Sequence, residues 1–343
     1  MQEVCLTNEE IASIRSIVNE VKRIYNSVED EKFLVAAATY AHDLPRRLRQ
    51  FLHSFKMREA DGLCLISGYP IVDDRIGNTP AHWNLRPAPS PTLDEDILFL
   101  LLSSLLGDAF GWATQQGGYI IHEVVPIKEY EDVQIGVGSK EPIWWHNEDA
   151  FHNFRGDYIG LVCLRNPDRV ATTFASIDMI EMDPTTVEIL FEPSFIIRPD
   201  ASHQYVEGDD PNQTVYDHRD RLKLAYERLL KMSSEPVKAP VLSGDPQSPY
   251  LCVDPYFMAV PDGDEKARWA LKTLIEALDT ALLEVVLKPG DFCFIDNYRA
   301  VHGRRPFTAE YDGRDRWVKR INITRDLRKS RGARATHLSR IIY

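Results

Sequence analysis

Trp144-Trp145-His146-Asn147-Glu148-Asp149 sets a histidine and a carboxylate two residues apart, with Trp, Ile and Phe close by. On a β-strand, residues i and i+2 point to the same face, so His146 and Glu148 are placed to share one metal ion. A carboxylate buried among such neighbours needs a partner, because burying it unpaired is costly. The third ligand is sought in Asp296-Asn297-Tyr298-Arg299-Ala300-Val301-His302-Gly303-Arg304-Arg305, where His302 is the candidate. Two histidines and one carboxylate are the donors of a facial triad, which holds Fe(II) and leaves three positions open. A His-x-Glu pair alone is a weak pattern, and a lone histidine is more often structural. The combination carries the reading.

The residues around these two stretches read as short strands: Tyr119–Val125, Tyr158–Cys163, Ala171–Ser176, Phe195–Arg198, Lys223–Glu227, Leu251–Val253, Asp291–Asp296 and Trp317–Thr324. Many short strands without long intervening helices indicate a sandwich or barrel. The expected fold is therefore mainly β with surrounding helices, on a double-stranded β-helix (jelly-roll) core. One amphipathic helix, from Asp264 to about Leu282, is expected to interrupt the strands.

The first third reads as helical. Thr7-Asn8-Glu9-Glu10 is a capping box, followed by apolar residues at helical spacing from Ile11 to Tyr25. Two more helices, Phe33–His42 and Arg46–Met57, precede a short strand at Gly62–Ile66. Asp73–Pro91 reads as a surface loop. Thr92-Leu93-Asp94-Glu95 reads as a second capping box, opening a buried helix that runs to about Ala109. No Pro/Gly/Ser linker separates independent units. The expectation is one domain over residues 1–343, with a helical part at 1–116 packed on a β-core at 117–330. The polar, acidic, Gly/Pro-broken stretch near 203–218 is a lid candidate.

Composition narrows the function. The chain carries 52 acidic and 40 basic residues, a formal charge of −12. That argues against nucleic-acid or anionic-membrane partners, and leaves open both a small cationic substrate and plain solubility as its reason. The longest apolar run, 97–106, is broken by Ser103 and Ser104 and is too short to span a bilayer. No signal-peptide pattern is read at the N-terminus. The five scattered cysteines, Cys5, Cys64, Cys163, Cys252 and Cys293, read as buried reduced thiols, so a cytoplasmic location is expected.

Arginine is the remaining signal. Arg304, Arg305, Arg314, Arg316, Lys319 and Arg320 follow His302. An Fe(II) oxygenase needs an organic co-substrate that supplies electrons. 2-Oxoglutarate does so by chelating the metal, and its far carboxylate asks for a planar two-toothed cation. A strand returning beside the His302 strand would bring Arg316 near the metal. The competing reading of this basic run is a solvated face that balances surface acids.

Several motifs together resemble a known family: Gly111-Trp112-Ala113-Thr114-Gln115-Gln116, Trp145-His146-Asn147-Glu148-Asp149-Ala150-Phe151, Leu164-Arg165-Asn166-Pro167-Asp168, Ile295-Asp296-Asn297 with Ala300-Val301-His302-Gly303-Arg304, and Tyr311-Asp312-Gly313-Arg314-Asp315-Arg316-Trp317. They look like the clavaminate synthase-like Fe(II)/2-oxoglutarate oxygenases, above all the free L-arginine β-hydroxylases of viomycin and streptothricin biosynthesis and their relatives. Glu148 matches that family's use of Glu in place of the wider superfamily's Asp.

The resemblance implies that His146, Glu148 and His302 bind Fe(II), with 2-oxoglutarate and O2 as co-substrates. It implies that Arg316 holds the distal carboxylate of 2-oxoglutarate, helped by Thr172. Gln115, Glu148 and Arg320 would hold the α-groups of a free amino acid, and Asp200 and Ser202 would close over it. In the arginine enzymes two acids, two residues apart, bind the guanidinium. Here that site reads Asp254-Pro255-Tyr256, one acid and one phenol. The implied reaction is hydroxylation at Cβ, or at Cγ, of L-arginine or a close analogue. Cyclic arginine analogues such as enduracididine or capreomycidine, and lysine, citrulline and ornithine, stay open as substrates. Two other readings stand beside it: a zinc hydrolase using the same three ligands, and a non-catalytic module that binds an amino acid. The residues leave the oligomeric state open.

Overall fold

The apolar runs on either side of the triad form strands with both faces buried, as near-continuous apolar sequence requires. A computed structural model describes residues 1–203 and 218–343. The larger sheet has eight strands, in the order Gln2–Cys5, Leu63–Ser67, Phe292–Asp296, Tyr158–Arg165, Trp317–Thr324, Asp108–Trp112, Ile341–Ile342, with Ile121–Val124 also paired to Trp317–Thr324. The smaller sheet runs Leu283–Val285, Thr172–Ser176, Ala300–Arg304, Ile143–His146. The inner faces meet through Leu63, Leu65, Ile159, Leu161, Cys293, Ile295 and Val318 on one side, and Phe174 and Ala300 on the other. This is the expected jelly-roll core.

The outer face of the large sheet is covered by helices Asn8–Lys22, Glu31–Ala41, Arg46–Arg58 and Leu93–Leu106. Strand alternation divides the work: Phe292 and Phe294 point to the helices, Cys293 and Ile295 to the other sheet. Leu93–Leu106 is apolar on nearly all sides because it is the helix in the middle. Gly160 lets it approach, since a Cβ there would stand 2.9 Å from a Phe99 ring carbon and 2.7 Å from an Ile321 methyl. The outer face of the small sheet packs Trp145, Ala175 and Val301 against Leu271, Leu274 and Leu278 of helix Glu265–Ala281.

Several expectations need correction. Lys223–Glu227 is not a strand but part of helix Arg219–Ser234, whose buried Leu222 and Ala225 keep helical spacing. A five-residue window was too short to show the longer period. Pro184–Phe191 is a further helix among the strands, so three helices interrupt them rather than one. The hairpin strand is Ser248–Leu251, earlier than expected, and Asp73–Ile76 forms a helical turn within the expected loop.

The box at Thr7 forms, with Glu10 N donating to Thr7 Oγ1 at 3.2 Å and Thr7 N to Glu10 Oε2 at 2.9 Å. The box at Thr92 does not form. Its buried hydroxyl instead accepts from Lys319 Nζ at 2.6 Å and donates to Asp96 Oδ2 at 3.0 Å. A buried ammonium must be paired, and that need outweighs a helix cap. The buried helix ends at Leu106, because Asp108–Trp112 is a strand of the large sheet. Of the cysteines, Cys5 is exposed and Cys252 half-buried; all five are free. The lid expected near 203–218 falls, apart from its end residues His203 and His218, outside the described residues.

Candidate metal centre and adjoining cavity

His302 and His146 are direct partners on neighbouring antiparallel strands, so the ladder itself sets the two imidazoles side by side. Their ring centroids are 4.8 Å apart. The carboxylate joins them by a different route from the one expected. Strand Ile143–His146 ends at His146, and Glu148 lies in the turn beyond it. Its Oε2 reaches within 3.6 Å of His146 Nε2 and 3.4 Å of His302 Nε2. These three residues thus gather one donor atom each into a single cluster.

The donors suit a divalent ion. Ligand atoms about 2.0–2.2 Å from a metal on one octahedral face stand roughly 3 Å apart, close to this spacing. His146 Nδ1 lies 2.9 Å from the Trp144 carbonyl oxygen, which makes Nδ1 the donor and leaves Nε2 facing Glu148, the position a metal would take from its proton. Burial alone would depress the His146 pKa, but Glu148 and Asp254 reverse this and raise it to about 9. Burial lowers His302, which stays neutral and able to ligate. Burial would likewise push Glu148 up. Arg320 and the two imidazoles overcome it and hold the carboxyl well below its usual range. A pocket that draws protons to an imidazole and keeps its carboxylate ionised draws a metal cation by the same field.

Strand Trp317–Thr324 carries the next group. Arg316, Val318 and Arg320 alternate onto the cavity side, while Trp317, Lys319 and Ile321 face the other way. This strand lies in the large sheet beside Tyr158–Arg165, not next to the His302 strand as expected. Arg316 therefore approaches from the opposite sheet. It shares the cavity with Thr172, Leu161, Gly303 and Arg304. Arg316 is buried, and no hydrogen bond or ion pair engages its guanidinium among the described residues. Arg304 and Lys319 are buried as well, which rules out a solvated face for these three.

The residues expected around a substrate fall at the other end of the same cavity. Asp200, Ser202, Asp254 and Tyr256 line it with His146, Glu148 and Arg320. Asp254 is buried, and its Oδ1 accepts from the backbone N–H groups of Tyr256 and Phe257 at 3.2 and 3.3 Å. Tyr256 is more than half exposed. Arg320 donates to Glu148, to Gln115 Oε1 at 3.1 Å and toward His122 Nδ1 at 2.9 Å. Gln115 is buried and donates to Ser202 Oγ at 2.6 Å, so it stands behind Ser202 and Arg320 rather than on the cavity wall.

Sequence reasoning passed over the groups that brace these ligands. Asp149 adopts φ +51° and accepts from Trp112 Nε1 at 2.5 Å, and its other oxygen lies 2.9 Å from His203 Nε2. His203 Nδ1 sits 2.8 Å from Thr114 Oγ1, so the segment bearing Asp200 and Ser202 is pinned beside the metal turn. Asn147 and Asn297 are fully buried and cross-linked to both metal-bearing segments. Their signal was present as polar side chains at the ends of apolar strands, where only a satisfied network permits burial.

A jelly-roll with two imidazoles and a carboxylate at one end of a cavity, and an unengaged buried arginine in the same cavity, is the architecture of the iron(II)- and 2-oxoglutarate-dependent oxygenases. The match to the family described as "Taurine catabolism dioxygenase TauD, TfdA family" spans residues 107–322, and the chain belongs to that family. It is 45% identical to an enduracididine beta-hydroxylase of Streptomyces hygroscopicus over 98% of both chains. It is 42% identical to an L-ornithine/L-arginine 3-hydroxylase of Catenulispora acidiphila over the full length of both. Among solved structures, the non-heme iron oxygenase OrfP in complex with Fe, succinate and (3S)-hydroxy-L-Arg superposes with a TM-score of 0.92 at 40% identity, covering both chains entirely. No helix among the described residues is long and apolar enough to cross a membrane.

Proposed function

We propose that this chain, acting in the cytoplasm as one catalytic unit over residues 1–343, hydroxylates a free basic L-amino acid, L-arginine or a close analogue, at Cβ. The observation that carries the reading is the buried, unengaged guanidinium of Arg316 in the same cavity as the His146–Glu148–His302 cluster. A zinc hydrolase would leave that cation with nothing to hold. The named activities of the relatives, an enduracididine beta-hydroxylase and an L-ornithine/L-arginine 3-hydroxylase, support the substrate class and the carbon. OrfP is solved with Fe and alpha-ketoglutaric acid and with Fe and L-Arg, which supports the cofactor and the substrate.

His146, Glu148 and His302 would hold Fe(II). When bound, iron with 2-oxoglutarate and O2 supplies the oxidant, placing one oxygen atom in succinate and the other in the substrate's new hydroxyl, with release of CO2. The protein's share is placement. Arg316 pairs with the distal carboxylate of 2-oxoglutarate, and Thr172 adds a hydroxyl. Asp254 receives the side-chain cation, and the exposed ring of Tyr256 offers it a face. Arg320 and Glu148 take the α-carboxylate and α-amino groups, Gln115 braces Arg320 and Ser202 from behind, and Asp200 and Ser202 close beside them. An amino acid held at both ends presents its middle carbons to the metal.

The test is incubation of the purified protein with Fe(II), ascorbate, 2-oxoglutarate and single amino acids: L-arginine, enduracididine, ornithine, lysine and citrulline. The expected result is substrate-dependent succinate and a product heavier by one oxygen. If no amino acid stimulates succinate formation, the reading fails.

A further inference from the structure

Asn147 lies between two of the candidate ligands, yet its side chain faces away from the cavity, and both it and Asn297 are fully buried. Asn147 Nδ2 donates to the Asn297 carbonyl at 3.0 Å and the Ala300 carbonyl at 2.8 Å, on the turn that leads to His302. Its Oδ1 accepts from Val253 N at 2.8 Å, and its own backbone N–H donates to Val253 O at 2.8 Å. Val253 immediately precedes Asp254. Asn297 answers from the other side: its Oδ1 accepts from Glu148 N at 2.8 Å, and its Nδ2 donates to the Glu148 and Gly156 carbonyls, both at 2.9 Å. Both donors of each amide are committed to backbone, so neither side chain has an N–H left for a ligand.

The two amides make different connections. Asn297 holds the main chain of Glu148 to the His302 turn, so it joins two metal-bearing segments. Asn147 also touches the His302 turn, but it alone of the two reaches on to Val253, so it fixes the separation between the metal cluster and Asp254. We propose that Asn297 and Asn147 are positioning residues with divided tasks. Asn297 sets the metal ligands, and Asn147 sets the distance from metal to cationic anchor, and with it the substrate carbon that meets the oxidant. The Asn147 half rests on the function proposed above.

Asn297→Asp and Asn147→Asp test the division. Each keeps size and acceptor but replaces the NH2 with an oxygen that repels two carbonyls. Co(II) and Fe(II) are titrated anaerobically into each protein, and succinate is compared with hydroxylated product and its Cβ:Cγ distribution. Asn297→Asp is expected to weaken metal affinity by about tenfold or more. Asn147→Asp is expected to lose less metal affinity than Asn297→Asp while producing succinate in excess of hydroxylated product, with some oxygen moved to Cγ. Equal loss of metal affinity in both variants would reduce the pair to a common structural brace and overturn the division. Tight coupling and an unchanged product in Asn147→Asp would overturn its half. If Asn147→Asp loses its cooperative melt, Asn147→Ser, whose hydroxyl both donates and accepts, carries the same measurement. Failure of the unaltered protein to turn over any amino acid removes the function reading and the Asn147 half together. The metal titration still decides the Asn297 half.

Discussion

Arg304 and Arg316 are neighbouring buried cations, and among the described residues no carboxylate pairs with either. Burial lowers Arg304 to about 9, and the charge of Arg316 pushes in the same direction. Arg304 spends its donors on main-chain carbonyls, Glu141 O at 2.8 Å among them, whereas Arg316 has none engaged among the described residues. Two such charges in the cavity suit the proposed binding of the 2-oxoglutarate carboxylate. Arg316→Lys keeps one charge but loses the two-toothed geometry. The expected outcome is an apparent 2-oxoglutarate affinity weaker by about 10- to 100-fold, with metal affinity unchanged, since a charge-assisted hydrogen bond contributes about 1.5–3 kcal/mol. Titration of the metal-to-2-oxoglutarate absorption band checks it.

Asp254 titrates within the working range. Burial pushes its carboxyl up to about 6, against the opposing charge of His146. Its pKa is raised, so the group takes a proton at a higher pH than an ordinary aspartate and is anionic only above about 6. The KM for a cationic amino acid is therefore expected to rise as pH falls from 7 to 5, approaching about tenfold per unit below the pKa. Citrulline, with a neutral side chain, should show no such slope, and Asp254→Asn should flatten the slope for arginine. Parallel KM–pH profiles for arginine and citrulline would contradict the assignment of Asp254 to the cation.

The triad was legible because its chemistry is carried by residue types whose roles are few. The route by which Glu148 arrives was not. Strand alternation pointed to the right face for the wrong reason, since Glu148 sits past the strand end in a turn fixed by Asn297. Trp317–Thr324 was legible as a strand from its β-branched residues, Val318, Ile321, Ile323 and Thr324, but these do not say which sheet it joins. Arg316 was therefore placed beside His302 rather than across from it. Thr92 was misread because a capping box is a local pattern, and its hydroxyl answers Lys319, a residue far along the chain. Local periodicity recovered elements; partners distant in sequence decided the exceptions.

Gly303 follows His302 in the small sheet, with a neighbouring strand close on either side. A Cβ there would stand 2.4 Å from the Ile143 carbonyl oxygen and 2.8 Å from Thr173 Oγ1. The first of these is backbone of the strand that bears His146, which cannot swing aside as a side chain can. Gly303→Ala is expected to push the His146 strand from the His302 strand and weaken metal binding by about tenfold or more, the scale of other faults in ligand support. Fe(II)-dependent protection against thermal unfolding reads this directly. Ligand at 100 times its Kd contributes about 2.7 kcal/mol, and a tenfold weaker variant should lose about half of that increment at the same metal concentration.

Lys319 offers the complementary case, a buried charge on strand Trp317–Thr324 that does not line the cavity. Its Nζ lies 2.7 Å from Asp96 Oδ1 and 3.2 Å from Glu123 Oε1, and all three side chains are almost fully buried. Breaking such a network by removing one partner strands the remaining charges in a low dielectric and costs about 3–5 kcal/mol. Lys319→Met is expected to lower the urea midpoint accordingly while folded protein keeps its affinity for metal and 2-oxoglutarate, because Val318 and Arg320 still present the cavity side of the strand. Asp96→Leu added to Lys319→Met should recover part of the loss, since it replaces an unpaired buried carboxylate with apolar volume against the helix layer. A double variant less stable than Lys319→Met alone would mean that Asp96 is held by its hydrogen bonds to Thr92 and Ser90 rather than by the ammonium.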